Sequence, residues 1–267
     1  MLFCAFRFTL YAFLMDSTRA IIIKIETSGE ADILATVYTE LFGKMTFMAK
    51  GARKMEAKLR PDLQPYSLVE LSFVRGKNNL LLTGAKTIET FITRESGYKD
   101  IFAATLLTFI IDVLVVQPEK DERMFLTILA SFRAITQPQF FSGTEAGQGD
   151  RKCWVIVQRF FWSMLKMSGV FVLSEKCPQC QQSFEDGAVF NFSGEILCRS
   201  CEKSSSCLLD KEDLYALQRI MDEGISGQIP EHVYEHLDKV LITFLFKEDF
   251  FVEANPVAVS WFLERVV

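Results

Sequence analysis

The sequence predicts a multidomain α+β protein: a small N-terminal β-barrel, then an α-helical domain that carries an inserted four-cysteine module. Three observations carry this expectation. Residues 18–89 divide into five short β-branched or alternating runs separated by turn residues, the pattern of a compact all-β unit. Beyond Ser96 the texture changes to long apolar segments that stop at prolines or glycines, which read as helices. Within that helical stretch, Cys177, Cys180, Cys198 and Cys201 stand as C-x2-C-x17-C-x2-C. At 267 residues the chain is long for one domain, and 49% hydrophobic residues with 25 Phe supply ample core.

The first fourteen residues, MLFCAFRFTLYAFL, are apolar with a single Arg7 and too short to span a bilayer. The charged region is thin for a signal peptide, and no small-residue cleavage motif precedes Met15. We expect Met15 to be the working start and residues 1–14 to be a non-native or disordered extension.

The barrel is expected over residues 15–95. Ala20–Ile25 is a β-branched strand, Ile33–Tyr38 a second, and Met45–Ala49 a third after the turn at Phe42-Gly43-Lys44. Ser67–Arg75 alternates Leu68, Glu70 and Ser72 with Val69, Leu71 and Phe73, the period of a half-buried strand. Gly76-Lys77-Asn78-Asn79 then turns into Leu80–Thr83, after which the strand pattern resumes to Glu89. Five strands in this span suit an OB-fold, and an SH3-like barrel fits the spacing nearly as well.

The helical domain is expected over residues 96–173 and 208–267. Tyr98–Val116 and Glu122–Ile135 are apolar helices ended by Pro118 and Pro138, and Trp154–Met167 stops at Gly169. Leu209–Met221, Glu231–Phe246 and Val257–Val266 complete the set, the last two following Pro230 and Pro256. The cysteine module, residues 174–207, is thus an insertion between helices. Its span reads as a β-hairpin: Ala188–Phe192, a Ser193-Gly194 turn, and a return from Glu195 to Cys198.

Each C-x-x-C pair can bend round one ion, and four thiolates at a tetrahedral centre suit Zn²⁺. Such a site has no open position for water, so it should hold structure rather than catalyse. The alternatives are two disulfides or four unrelated buried thiols. Cys4, Cys153 and Cys207 are scattered, unlike a secreted framework, which favours a reducing cytoplasm.

The net charge of −5 conceals an asymmetry: residues 1–95 hold 13 bases and 10 acids, and the remainder 16 and 24. Lys44, Lys50, Arg53, Lys54, Lys58 and Arg60 fall within one short stretch whose only acid is Glu56. That is a polyanion-facing patch or a solvated face. Lys50-Gly51-Ala52-Arg53-Lys54 follows a strand, so its bases sit on a loop where they can reach phosphates without reading sequence. Arg75 and Lys77, at another strand-to-turn junction, would extend the track. Tyr38, Phe47, Tyr66 and Phe73 are interleaved with these bases. In OB-folds such rings can stack on nucleobases, but a small barrel needs most of its aromatics inside.

Catalytic arrangements mostly fail on composition. There are two histidines, no G-x-S-x-G and no Walker loop. A zinc deaminase would need a histidine upstream of Cys177, and none is there. His232-Val233-Tyr234-Glu235-His236 fits the inverted zinc-peptidase pattern H-x-x-E-H, with His232, Glu235 and His236 as the chemical groups. Against it, Val233, Leu237, Val240 and Leu241 form the stripe of an ordinary amphipathic helix. Asn191-Phe192-Ser193 is a glycosylation sequon set aside in a cytoplasmic chain.

Taken together, these residues resemble the bacterial RecO family of DNA-repair recombination mediators, in its zinc-bearing branch. Gly29-Glu30-Ala31-Asp32-Ile33-Leu34 is similar to the family's G/E-x-D-x-I-L, and Thr39–Lys44 to T-x-x-x-G-K. Ala49–Lys54 resembles A-K-G-x-R-[RK], and Leu63-Gln64-Pro65-Tyr66 resembles L-Q-P-[FY]. Downstream, Phe160–Gly169 followed by Cys177-x-x-Cys180 resembles the helix, glycine and first metal pair of zinc-bearing members. The resemblance runs from about Thr18 to the C-terminal helix. It implies an N-terminal OB-fold and a helical domain with an inserted module holding one structural Zn²⁺. It further implies a non-enzymatic, cytoplasmic, nucleoid-associated protein with no membrane partner. The implied activities are binding single- and double-stranded DNA, annealing complementary strands and, with RecR, loading RecA on DNA coated by single-strand-binding protein. Phosphates would be held by Lys44, Lys50, Arg53, Lys54, Lys58 and Arg60, leaving bases free to pair. The rival expectations are a zinc metallopeptidase and a protein-only adaptor that docks through its apolar helices.

Overall fold

The computed structural model describes residues 15–54, 56–76, 79–116, 119–136, 152–169, 173–185, 187–190, 196–202, 208–223, 233–234 and 237–242. Five strands come first: β1 (Asp16–Ser28), β2 (Asp32–Thr39), β3 (Gly43–Ala49), β4 (Ser67–Arg75) and β5 (Leu80–Thr90). They close into a barrel in the order β1-β2-β3-β5-β4. All pairings are antiparallel except β3 with β5, where Phe47 and Met48 lie beside Leu80 and Leu81. That order is the five-stranded OB topology, which decides between the two barrels the spacing allowed. β1 is long enough to serve two neighbours, pairing with β4 through its first half and β2 through its second. A register shift between Ile22 and Lys24 bends it as it passes from one to the other.

The run Ala20-Ile21-Ile22-Ile23 shows no alternation because both faces of β1 are buried. Ala20 and Ile22 point into the barrel with Val37, Phe47, Val69, Leu71 and Phe73. Ile21 and Ile23 point outward into a second core, formed by the helices. That second core is built by α1 (Tyr98–Leu114), α2 (Glu122–Thr136), α3 (Lys152–Met167) and α4 (Lys211–Glu223). α1 starts where Asp100 Oδ2 accepts the Gly97 amide at 3.0 Å, and α2 where Asp121 Oδ1 accepts the Met124 amide at 3.0 Å. α3 is buried on nearly every side from Val155 to Leu165, which makes it the central helix.

Residues 233–234 and 237–242 are helical and pack on α3, with Val233, Leu237, Val240 and Leu241 buried. The apolar stripe read from the sequence is therefore the packing face. α3 also grips this segment through buried polar groups. Asp238 Oδ1 accepts from Trp154 Nε1 at 2.5 Å and Gln158 Nε2 at 2.6 Å, while Arg159 Nε donates to the Tyr234 hydroxyl at 2.7 Å. His232, Glu235, His236 and the helix expected over Val257–Val266 lie outside the described residues.

Between α3 and α4 comes a small sheet of β6 (Ala188–Phe190), β7 (Ile196–Cys198) and β8 (Leu208–Leu209), in the order β7-β6-β8. The expected hairpin is present, Phe190 facing Ile196 and Ala188 facing Cys198; its turn at Ser193-Gly194 is outside the described residues. β8 is a difference. The sequence reading begins a helix at Leu209, but Leu209 is buried opposite Ala188. Asp210 and Asp213 exchange side-chain-to-amide hydrogen bonds at 2.9 Å, a reciprocal cap that delays the helix to Lys211. The module shares the helical core, since Trp162 of α3 meets Phe190 edge-on at 5.6 Å.

The barrel is docked on the helices through several polar ties. Lys44 Nζ sits 2.5 Å from Asp112 Oδ1 and donates to the Asp112 carbonyl at 2.8 Å. Arg133 Nη2 lies 2.7 Å from Glu89, and the Tyr66 and Thr105 hydroxyls are 3.1 Å apart. Among the described residues, no helix is long and apolar enough to cross a membrane.

Candidate nucleic-acid interface and metal centre

The basic loop begins where β3 ends. Gly51 has φ +66, the left-handed conformation that favours glycine, and its amide donates to Asp32 Oδ1 at 2.7 Å. The Arg53 amide donates to the Ala31 carbonyl at 2.9 Å, and Arg53 Nη1 to the Gly29 carbonyl at 3.3 Å. These bonds bolt the loop onto the β1–β2 turn. Ala52 is buried with Leu63 at the end of the barrel core. With Ala52 inward, Lys50, Arg53 and Lys54 stand exposed around it. A 3-10 turn, Arg60–Asp62, closes the connection and is pinned by Asp62 Oδ1, which accepts from the Thr87 amide and hydroxyl at 2.9 and 2.8 Å. Lys58 and Arg60 are exposed on this segment.

The structure thus brings Lys50, Arg53, Lys54, Lys58 and Arg60 onto one connection. Among the described residues none of these five is in a salt bridge. Lys44 is placed differently: its side chain is 17% exposed and its ammonium is engaged by Asp112. Arg75 is exposed at the end of β4 and reaches Asp16 at 3.4 Å. It pairs with Leu80, which in turn pairs with Phe47, so one strand separates it from β3. Lys77 lies outside the described residues.

The rings do not accompany the bases to the surface. Tyr38, Phe47 and Phe73 are fully buried, Phe47 and Phe73 in contact inside the barrel with centroids 4.7 Å apart. Tyr66 packs toward Phe132 of α2, its centroid 6.4 Å away. Burial, and then the charge of Asp121, push the Tyr38 hydroxyl well above its ordinary range. Core packing is the fate of all four.

Two sequence segments separate by role. Thr39–Lys44 is a docking element: the Thr39 hydroxyl accepts the Phe42 amide and donates to the Gly43 carbonyl, both at 2.9 Å. Gly43 has φ +71, and a Cβ there would lie 2.2 Å from the Glu119 carbonyl, so only glycine admits the α1–α2 connection. Ala49–Lys54, by contrast, is surface. Asp112 and Asp16 are residues that sequence reasoning passed over, and Asp32 is read there as part of a motif without its contact to Gly51. Each acts across the fold, and no local spacing signals such a contact.

The four cysteine sulfurs lie within 4.8 Å of one another, with Cys180 and Cys198 Sγ atoms 3.5 Å apart. That is far beyond the ~2.05 Å of a bonded pair, so the disulfide alternative is set aside. Tetrahedral coordination at a Zn–S distance near 2.3 Å would need sulfurs about 3.8 Å apart, and the cluster fits an ion of that size. Cys177-x-x-Cys180 turns back through a Gln181 amide bond to the Cys177 carbonyl at 2.8 Å, with Gln181 itself at φ +62. Cys198-x-x-Cys201 closes likewise, the Cys201 and Glu202 amides both donating to the Cys198 carbonyl at 3.0 Å. Burial raises the Cys177 thiol, but the amides of Cys198, Cys180 and Gln179 outweigh it and bring it down to about 6. Cys201 goes the other way, to about 12, chiefly through its hydrogen bond with Cys198. Thiolates in contact repel, and a cation at their centre is what allows all four to ionise together.

The amino-terminal model of Recombination protein O matches residues 15–91, and its carboxy-terminal model matches residues 96–246. The chain belongs to the RecO family. Curated RecO relatives agree over most of their length. The DNA repair protein RecO of Syntrophomonas wolfei is 28% identical over 201 residues, covering 74% of this chain and 75% of that protein. The one from Thermoanaerobacter sp. is 21% identical over 240 residues, 85% and 90% of the two chains. That of Clostridium kluyveri is 24% identical over 241 residues, 88% of each. The two RecO models meet close to the border between barrel and helices, and the second spans the cysteine module.

Proposed function

We propose that this RecO-family chain is a DNA-repair recombination mediator that works by holding nucleic-acid backbones. The observation that carries the reading is the exposed basic connection over residues 50–60, fixed to the barrel by Asp32 and Asp62, with none of its five bases in a salt bridge among the described residues. Phosphates are held by Lys50, Arg53, Lys54, Lys58 and Arg60, with Arg75 and Lys77 as an extension. Lys44, given over to Asp112, serves mainly to keep the barrel seated on α1. Because the contacts are to phosphate, single- and double-stranded DNA both bind, and the bases stay free to pair with an incoming strand.

Annealing follows when two strands share one neutralising surface, and delivery of RecA with RecR onto DNA covered by single-strand-binding protein is the cellular use. The cysteine centre binds one Zn²⁺, held by Cys177, Cys180, Cys198 and Cys201. Closed thiolate coordination supplies folding energy to the β6–β8 sheet and no reaction step. The protein is cytoplasmic and nucleoid-associated. The test is an annealing assay with complementary oligonucleotides at several salt concentrations. Acceleration that weakens as salt rises is expected; no acceleration at any salt sinks the annealing step. Retention of DNA binding in that case would leave an adaptor that tethers partners to DNA.

A further inference from the structure

We propose that the cysteine centre is also an oxidation site, where a peroxide joins Cys180 to Cys198 in a disulfide that replaces the metal as the staple of the β6–β8 sheet. This rests on the reading that Cys177, Cys180, Cys198 and Cys201 hold one Zn²⁺, and it adds a reaction of the same thiols.

The four sulfurs differ in access. Cys177 is fully buried against the helical core and Cys198 is 7% exposed at the end of β7. Cys201 is half-buried, while Cys180 is exposed. An oxidant arriving from solvent therefore meets Cys180 first. The thiolate, not the thiol, is the nucleophile, and metal coordination keeps a cysteine in that form. Cys198 Sγ lies 3.5 Å from Cys180 Sγ, so a bonded distance of ~2.05 Å asks for a closure of about 1.5 Å.

In the first step Cys180 attacks one peroxide oxygen, the O–O bond breaks, and a sulfenic acid forms as hydroxide departs. Cys198 then attacks the Cys180 sulfur; the S–S bond forms, the S–O bond breaks and a second hydroxide leaves. Two thiolates give up two electrons and one peroxide takes them. Cys177 and Cys201 are half of a closed tetrahedral set, so the ion is released.

The place of the new bond decides what survives. Cys180 belongs to the turn closed by the Gln181 amide on the Cys177 carbonyl. Cys198 pairs with Ala188 in the sheet and opens the second turn, where its carbonyl accepts the Cys201 amide. A Cys180–Cys198 bond ties one turn to the other, as the metal does. A bond inside either Cys-x-x-Cys would leave them separate. β6 keeps its own anchor on α3 through Phe190 against Trp162.

The experiment treats the zinc-loaded full chain with hydrogen peroxide beside a zinc-binding chromophore. Free thiols are then blocked and disulfides mapped by peptide mass spectrometry. Amide hydrogen exchange over residues 188–198 is compared in the zinc-loaded, oxidised and chelator-stripped reduced forms. Expected are zinc release in step with disulfide formation, a dominant Cys180–Cys198 link, and exchange about tenfold or more slower in the oxidised form than in the stripped one. Any other dominant link, within one Cys-x-x-Cys or to Cys207, overturns the inference. So does a Cys180–Cys198 link with exchange as fast as in the stripped form, because the bond would then not hold the sheet. Zinc retained at a peroxide concentration that oxidises glutathione overturns it as well. A purified chain without zinc removes the metal reading by itself, and the disulfide map of that chain still decides the pairing.

Discussion

Removing Lys50, Arg53 and Lys54 together should change how binding responds to salt more than it changes the fold. The three side chains are exposed and carry no salt bridge among the described residues, while Ala52 between them keeps the loop anchored in the barrel. With Lys58 and Arg60 they make five available cations. Each phosphate neutralised on a single strand contributes about 0.7 to the slope of log affinity against log salt, so five give a slope of about −3.5. Raising salt from about 50 to about 200 mM should then cost the intact protein about 100-fold in affinity. The triple variant keeps two of the five, with a slope of about −1.4 and a loss of about sevenfold over the same range. Lys44→Ala is the internal control. Its ammonium is engaged by Asp112, so the slope should stay near the starting value while thermal stability falls. The assay is anisotropy of a labelled single strand at four or more salt concentrations. A triple variant with the original slope would move the DNA site off this loop. A Lys44→Ala variant that loses about 0.7 of slope, one full phosphate contact, would show that the Asp112 pair opens to admit phosphate.

Gly43→Ala should be costly and Gly29→Ala mild, although both positions have positive φ. The added methyl meets the Glu119 carbonyl at 2.2 Å in the first case and nothing within 4 Å in the second, so the first should lose about 3 kcal/mol and the second about 1 kcal/mol by denaturant titration. Metal analysis should find one zinc per chain, lost with Cys→Ser at the four ligands and bound less tightly as pH falls, because the ligands must be thiolates. A second, histidine-dependent ion would reopen the peptidase reading at His232 and His236. The Glu40 carboxyl is held below its ordinary 4.5 by a hydrogen bond from Arg19. A depressed folded-state value means the contact contributes fully above that ordinary value and is lost as pH falls through the lowered one. Glu40→Gln should therefore lower the melting temperature slightly at neutral pH and leave the acid end nearly unchanged, so that less stability is lost on acidification; a melting temperature unaltered at neutral pH would refute the pairing.

Much of the architecture was legible from residues alone because it follows local chemistry. Strand periods, glycine turns and proline stops placed β2, β3, β4 and the first three helices to within a few residues, and the doubled C-x-x-C spacing located the cysteine cluster. Where the reading slipped, a distant partner had decided the outcome. Leu208-Leu209 looks like the start of a helix by composition, yet Ala188 some twenty residues earlier claims it for a sheet. β1 was read short because burial on both faces hides its alternation, and its polar ends are strand only through pairing with β4 and β2.

The same division runs through the candidate interface. That a basic run follows a strand, and that four thiols stand at metal spacing, is plain from the residues alone. The sequence could not sort the bases, since a lysine's availability depends on what the fold brings against it. Tertiary structure set Asp112 against Lys44 across 68 residues and Asp16 beside Arg75 across 59, and it left Lys50, Arg53 and Lys54 without such a partner among the described residues. It also buried Phe47 and Phe73 in the barrel and packed Tyr38 and Tyr66 against the helices. Charge is written in the chain, but whether a charge faces solvent, and what stands beside it there, is a property of packing.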